Sequence, residues 1–256
     1  MPIFNAAVTA SQAIDNPPNT YFWSDQRLGY AQMRGKTLAT SAWPYGTPPE
    51  GTECVLKLIR FEDDNSFMIG PSKVMRTTVG TSGQTFGRPF IKWLSDTRIA
   101  TVRYEWAAQQ QIAELWAVDT TTLALTLLDQ TAIGPPVDGG SWSQDGGSVS
   151  EAGVVCICFN KFTSGQPQNV AAPDIYQFAV CEVVGDSFSA WTRRDQVRDG
   201  YHTKWRTYPI SANRFLTPWT SGAGGVLESC VYDAAADTLQ LASREVASWA
   251  TAGGAT

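Results

Sequence analysis

One pattern recurs four times in this chain and limits what it can fold into. The stretches VLKLIRFEDDNSFMI (55–69), IAELWAVDTTTLALTL (112–127), IYQFAVCEVVGDSFSAW (175–191) and VLESCVYDAAADTLQL (226–241) share it. In each, alternating hydrophobics run into Asp, Asn, Gly or Thr and then resume. Period-two alternation belongs to strands, and a polar break inside it reads as two antiparallel strands joined at a tight turn. The four starts lie 51 to 63 residues apart, and helical periodicity is nearly absent.

A further strand precedes each hairpin: KTLATSAW at 36–43, RIATVRYEW at 98–106, GVVCICFNKF at 153–162 and RFLTPWT at 214–220. Before that comes a short aromatic-bearing segment: LGYAQM, PFIKWL, GGSWS and TKWRTYPI. Each unit therefore reads as four strands, A to D, the repeat signature of a propeller blade. A four-stranded sheet with two apolar faces cannot bury both alone, so such units stack. The expected fold is all-β, a β-propeller of about four four-stranded blades. The propeller spans 28–256, with blades at about 28–79, 80–136, 137–199 and 200–250. Residues 1–27 combine strand-like NAAVTAS with turn-rich IDNPPN. They are expected to form a closing strand against the last blade, or an arm reaching a neighbouring subunit.

SWSQDGGSVSEAGVVCICF followed by DIYQFAVCEV resembles the TolB-like and WD40-like propeller repeat, with its Trp-Ser-x-Asp-Gly turn. KWLSDTRIATVRY followed by ELWAVDTTTLALTLLD is similar, with Ser95-Asp96 at the turn and Asp119 at the hairpin. In the first and fourth units Gly35-Lys36 and Ser211-Ala212-Asn213 replace the Asp-Gly. The resemblance implies a fold and leaves function open, because propellers host unrelated functions. It places Ser143-Gln144-Asp145-Gly146-Gly147 as the A–B turn of the third blade. Ser143, Asp145 and Gly147 also match part of the sialidase Asp-box, a structural turn, while Val149 and Ser150 depart from its final Thr-Trp.

Composition narrows the partners. A net charge of −5 argues against general nucleic-acid or anionic-lipid binding. No apolar run approaches the roughly 18 residues of a membrane span. MPIFNAAVTASQ lacks the basic and apolar regions of a cleaved signal peptide, so none is expected. Cys54, Cys156, Cys158, Cys181 and Cys230 lie in apolar or β-rich runs. They read as reduced small hydrophobes rather than a disulfide framework.

No catalytic constellation is legible. The acidic residues gather at hairpin tips (Asp63, Asp64, Asp119, Asp186, Asp233 and Asp237), where they are expected to cap turns. His202 is the single histidine and has no spaced partner for a triad or metal. No metal and no cofactor is expected. Two surfaces stand out. The B–C loops carry Trp43, Tyr45, Tyr104, Trp106, Phe162 and Trp219 beside Gly, Pro, Gln and Ser. Such aromatics give large contact area for recognition, or fold back to seal the blade ends. The run WTRRDQVRDGYHTKWRTY (191–208) carries Arg193, Arg194, Arg198, Lys204 and Arg206 against Asp195 and Asp199, a basic docking patch in an acidic chain.

The charged fraction is 17%, against about 25% for typical soluble proteins, and Ser, Thr, Gln and Asn supply much of the polarity. That profile is similar to tail and other virion components of tailed bacteriophages. The expected function is a non-enzymatic structural or interaction protein, made in the host cytoplasm and incorporated in a virion. It docks other subunits through its loops and is oligomeric when assembled. The alternatives are a glycan-binding propeller and, more remotely, a propeller glycosidase.

Overall fold

The second strand of each sheet follows the sequence expectation closely. The computed structural model describes residues 20–21, 32–44, 52–78, 90–105, 110–133, 146–150, 153–161, 174–198, 207–221, 224–233, 235–236 and 238–247. They form four antiparallel sheets, with no helix among them. The first sheet contains β1 (Thr20–Tyr21), β2 (Gln32–Arg34), β3 (Thr37–Pro44), β4 (Thr52–Phe61), β5 (Phe67–Ile69) and β6 (Lys73–Thr78). The second contains β7 (Phe90–Ser95), β8 (Arg98–Glu105), β9 (Gln110–Val118) and β10 (Leu125–Ala132). The third contains β11 (Gly146–Val149), β12 (Val154–Lys161), β13 (Asp174–Val184), β14 (Ser187–Phe188) and β15 (Thr192–Arg198). The fourth contains β16 (Tyr208–Pro209), β17 (Arg214–Ser221), β18 (Gly224–Asp233) and β19 (Thr238–Ala247).

The extra strands do not widen the sheets. β1 and β2 both pair with β3, at opposite ends of it, and β5 and β6 divide one edge of β4 in the same way. β14 and β15 divide the edge of β13. Every sheet therefore has four lanes. The break between β5 and β6 falls at Gly70-Pro71-Ser72, where proline lacks the amide a ladder needs. From the 1–27 segment only Thr20–Tyr21 is described, and it pairs with Trp43–Pro44 of the first sheet.

Three first turns fall where the repeat pattern puts them: at Gly35-Lys36, at Asp96-Thr97 and at Ser211–Asn213. The third does not. Gly146 and Gly147 are the first residues of β11, opposite Cys158 and Ile157, and the chain reverses at Ser150–Gly153 instead. The position that requires a left-handed backbone decides this. It is Gly153, with φ +79°, matching Gly35 at +54° in the first sheet. Ser150 helps close the turn, its Oγ accepting from the Val154 amide at 3.2 Å. Asp145 lies outside the described residues.

A main-chain hydrogen bond recurs behind these turns. The amide near the end of the third lane donates to a first-turn carbonyl in three sheets. The pairs are Phe61 N to Lys36 O at 2.9 Å, Val183 N to Gly153 O at 3.4 Å, and Tyr232 N to Asn213 O at 2.9 Å.

By contact the chain divides into two units. The first holds the first sheet together with the turn at Val118–Leu125, and the second holds the rest of the second sheet with the third and fourth. In the second unit the third sheet is buried on both faces. Val155, Ala179 and Cys181 pack on Val102, Ala113 and Ile133 of the second sheet. Val154, Cys156, Phe178 and Val180 pack on Phe215, Cys230, Tyr232 and Leu239 of the fourth. The alternation in VVCIC and in IYQFAVC thus splits two core layers between one pair of strands. The first lanes β7, β11 and β16 lie side by side in succession.

Candidate functional site

Three of the aromatic residues singled out from the sequence follow directly on the end of a second lane. β3 ends at Pro44, β8 at Glu105 and β12 at Lys161, so Tyr45, Trp106 and Phe162 are each the first residue after their strand. All three lie outside the described residues. Trp43, Tyr104 and Trp219 lie inside β3, β8 and β17, opposite Tyr21, Gln111 and Val226.

The fourth loop differs from expectation. The B–C loop expected to carry Trp219 is shorter, because Ser221 pairs with Gly224 and only residues 222–223 join the strands. Trp, Thr and Ser continue the ladder, and a two-residue connection is the shortest antiparallel link. Pro218 is tolerated in β17 because it falls beyond the reach of β16, which pairs only with Phe215 and Leu216.

The basic run is divided by the fold. Arg193, Arg194 and Arg198 lie in β15, while Lys204, Arg206 and His202 lie outside the described residues. Thr192 is buried and Arg193 exposed.

The described hairpin aspartates are engaged in structure. Asp64 accepts from the Ser66 amide at 2.9 Å and from its hydroxyl at 2.6 Å. Asp119 accepts from the amides of Thr121 and Thr122 at 2.8 and 3.1 Å, and Asp233 from those of Ala235 and Ala236 at 3.0 and 3.1 Å. The hydrogen bonds from Ser66 hold the Asp64 carboxyl below its ordinary range, and those from Thr122 and Thr121 do the same for Asp119. Asp63 pairs with Lys36, and Asp186 of the third sheet pairs with Arg98 of the second. Asp129 of β10 accepts from the Phe188 amide at 2.8 Å, a second tie between those sheets.

One polar cluster escaped the sequence reading. In the second sheet Arg103 Nε donates to Glu114 Oε1 at 2.9 Å, with the two side chains 9% and 2% exposed. Thr101 Oγ1 donates to Glu114 Oε2 at 3.1 Å and accepts from Trp116 Nε1 at 3.0 Å. Thr101 and Glu114 face each other in register, so β8 and β9 lock at this point. The signal was present as alternating polar residues in RIATVRYEW and a lone Glu inside IAELWAV. Among the described residues no group of three or more His, Cys, Asp and Glu is placed to share a metal ion.

Cys156, Cys181 and Cys230 are buried and take part in no disulfide. Burial, with the charges of Glu182 and Asp129, pushes the Cys181 thiol well up, so it holds its proton at neutral pH. These three thiols should resist N-ethylmaleimide in the native protein and label fully in denaturant, as peptide mass spectrometry would show. Native labelling of Cys181 at the rate of a free thiol would contradict the packing.

No family model matches this sequence, and no curated protein does. Among solved structures it is similar to an acylaminoacyl peptidase of Pyrococcus horikoshii, at 10% identity and a TM-score of 0.46 over 85% of this chain and 32% of that one. It is similar to Hsv2 of Kluyveromyces lactis at 10% identity and 0.35, over 84% and 85% of the two chains. A Hadza microbial sialidase, Hz136, gives 9% and 0.44 over 80% of this chain and 44% of that one. The chain thus spans about a third of the peptidase and under half of the sialidase. Likeness at this level assigns neither activity nor partner, and the description of the fold rests on the strand pairing itself.

Proposed function

We propose that this chain is a non-enzymatic interaction protein whose four sheets close as a β-propeller and whose second-to-third-lane loops dock partner subunits. What supports the reading is the order of the sequence, in which Tyr45, Trp106 and Phe162 follow Pro44, Glu105 and Lys161, the last residues of the second lane in three sheets. A strand end is a rigid support, and an aromatic residue set on it offers contact area at low entropic cost. The described hairpin aspartates support the same reading, because turns and ion pairs occupy them. The low charge and Ser/Thr/Gln richness favour a tail or tail-associated component of a bacteriophage virion as the setting.

Two measurements test this. Light scattering with co-purification should show a ring or a partner complex. The variant Tyr45→Ala/Trp106→Ala/Phe162→Ala should lose that association while its melting curve stays unchanged. A strictly monomeric chain that retains no partner would sink the assembly reading. Binding on a glycan array that disappears with Trp106→Ala would instead favour a carbohydrate-binding propeller.

A further inference from the structure

The turn from Asp119 to Ala124 is built around a residue in an unfavourable conformation. Leu123 has φ +57°, a left-handed backbone that a side chain resists, yet it is only 1% exposed. Its room is provided by Gly70. An added Cβ there would lie 2.6 Å from Leu123 Cβ and closer still to Leu123 O. Arg60 Nη1 reaches across to donate to Thr120 O at 2.6 Å. The turn holds itself through Leu123 N to Asp119 O at 2.8 Å, Asp119 N to Ala124 O at 3.0 Å, and the two amides bound by the Asp119 carboxylate.

We infer that this turn is a latch in the first unit. Leu123 is seated on Gly70 in a strained conformation that the Asp119 carboxylate maintains, and protonation of that carboxylate opens it. A carboxylate accepts two amide protons strongly, and a neutral carboxyl does so weakly. Leu123 then has less to hold it left-handed, and its side chain can leave the glycine. The charged groups on the elements around the turn are Lys57 and Arg60 of β4, Glu62, Asp63 and Asp64 of the turn after it, Lys73 of β6, and Arg34 of β2 with Lys36 of the turn into β3. Arg60 reaches the turn through a carbonyl, and Glu62 through Arg60 alone.

The sign follows from the hydrogen bonds. They lower the carboxyl of Asp119 below its ordinary 3.8 in the folded state. The stabilisation is therefore complete above that value and is lost as pH falls through the lower, folded one.

Hydrogen exchange of the Leu123 and Gly70 amides, corrected for intrinsic rates, reads the latch. In the wild type, protection should fall several-fold between pH 6 and pH 3, up to the limit of about sevenfold that the ordinary carboxyl value of 3.8 sets at pH 3. Asp119→Asn keeps a capping oxygen but cannot titrate, so its protection should change less than about twofold over the same range. Asp119→Ala should be poorly protected at both pH values. Equal acid-induced loss in Asp119→Asn and wild type would overturn the inference, since Asp64 or Glu62 would then be responsible. Full protection of Asp119→Ala at pH 6 would overturn it as well.

Discussion

Glu114→Ala is expected to lower stability by about 3–5 kcal/mol, the usual cost of removing one member of a buried ion pair. The guanidinium of Arg103 keeps its place between β8 and β9 but loses its carboxylate, and the Thr101 hydroxyl loses its acceptor. For a chain of this size the melting temperature should fall by roughly 10 °C. Glu114→Gln should fall between wild type and alanine, because an amide oxygen still accepts but carries no charge. The double variant Arg103→Met/Glu114→Leu separates the two contributions. If uncompensated charge dominates, it should recover most of the loss. A melting temperature for Glu114→Ala within about 2 °C of wild type would show that the pair is not buried as described.

Gly70→Ala is expected to cost about 3 kcal/mol, at the upper end of the overpacking range. Its methyl would meet the backbone carbonyl of Leu123 as well as that residue's Cβ. A side chain can rotate away, but a carbonyl inside a closed six-residue turn cannot move without breaking the turn. Truncating the neighbour should therefore rescue little: Gly70→Ala/Leu123→Ala should be no more stable than Gly70→Ala alone. Denaturant titration of the two variants decides it. Full recovery in the double variant would mean that only side chains collide.

Much of the fold was legible because its determinants are local. Alternation in KTLATSAW and RIATVRYEW placed β3 and β8 to within a residue or two, and the acidic tips placed the hairpins. Asp64, Asp119 and Asp233 cap turns as their chemistry suggests. Asp-Gly misled at residues 145–146 because both glycines that follow Asp145 fit a strand. The left-handed position was supplied six residues beyond Gly147, by the less conspicuous Gly153. Trp219 falls at the edge of the expected strand and loop in the letters, since Pro218 and Gly224-Gly225 flank it. Only the short reach of β16 explains why the ladder continues past Pro218.

Less of the site was legible, for a different reason. Arg103 and Glu114 are eleven residues apart in sequence and look like ordinary surface polarity until the strands are laid in register. Leu123 offers no local sign that it is left-handed, since glycine or asparagine usually marks such a position. Its conformation depends on a glycine over fifty residues earlier. Both features come from tertiary packing overriding local preference. The basic run illustrates the converse. Its net charge is plain in the letters, but among the described residues only the part from Arg193 to Arg198 falls in a strand, β15.

The main-chain bonds behind the first turns bear on how such a chain changes under mutation. Phe61 to Lys36, Val183 to Gly153 and Tyr232 to Asn213 join amide to carbonyl, and no side-chain identity is required. Drift can rewrite the letters at these corners, and Gly-Lys, Ala-Gly and Ala-Asn already occupy equivalent places. The sheets stay tied while their signature words fade. Kinship among the four units is therefore better preserved in the bonding pattern than in any motif, and comparing amides and carbonyls position by position would detect it after residue matching has failed.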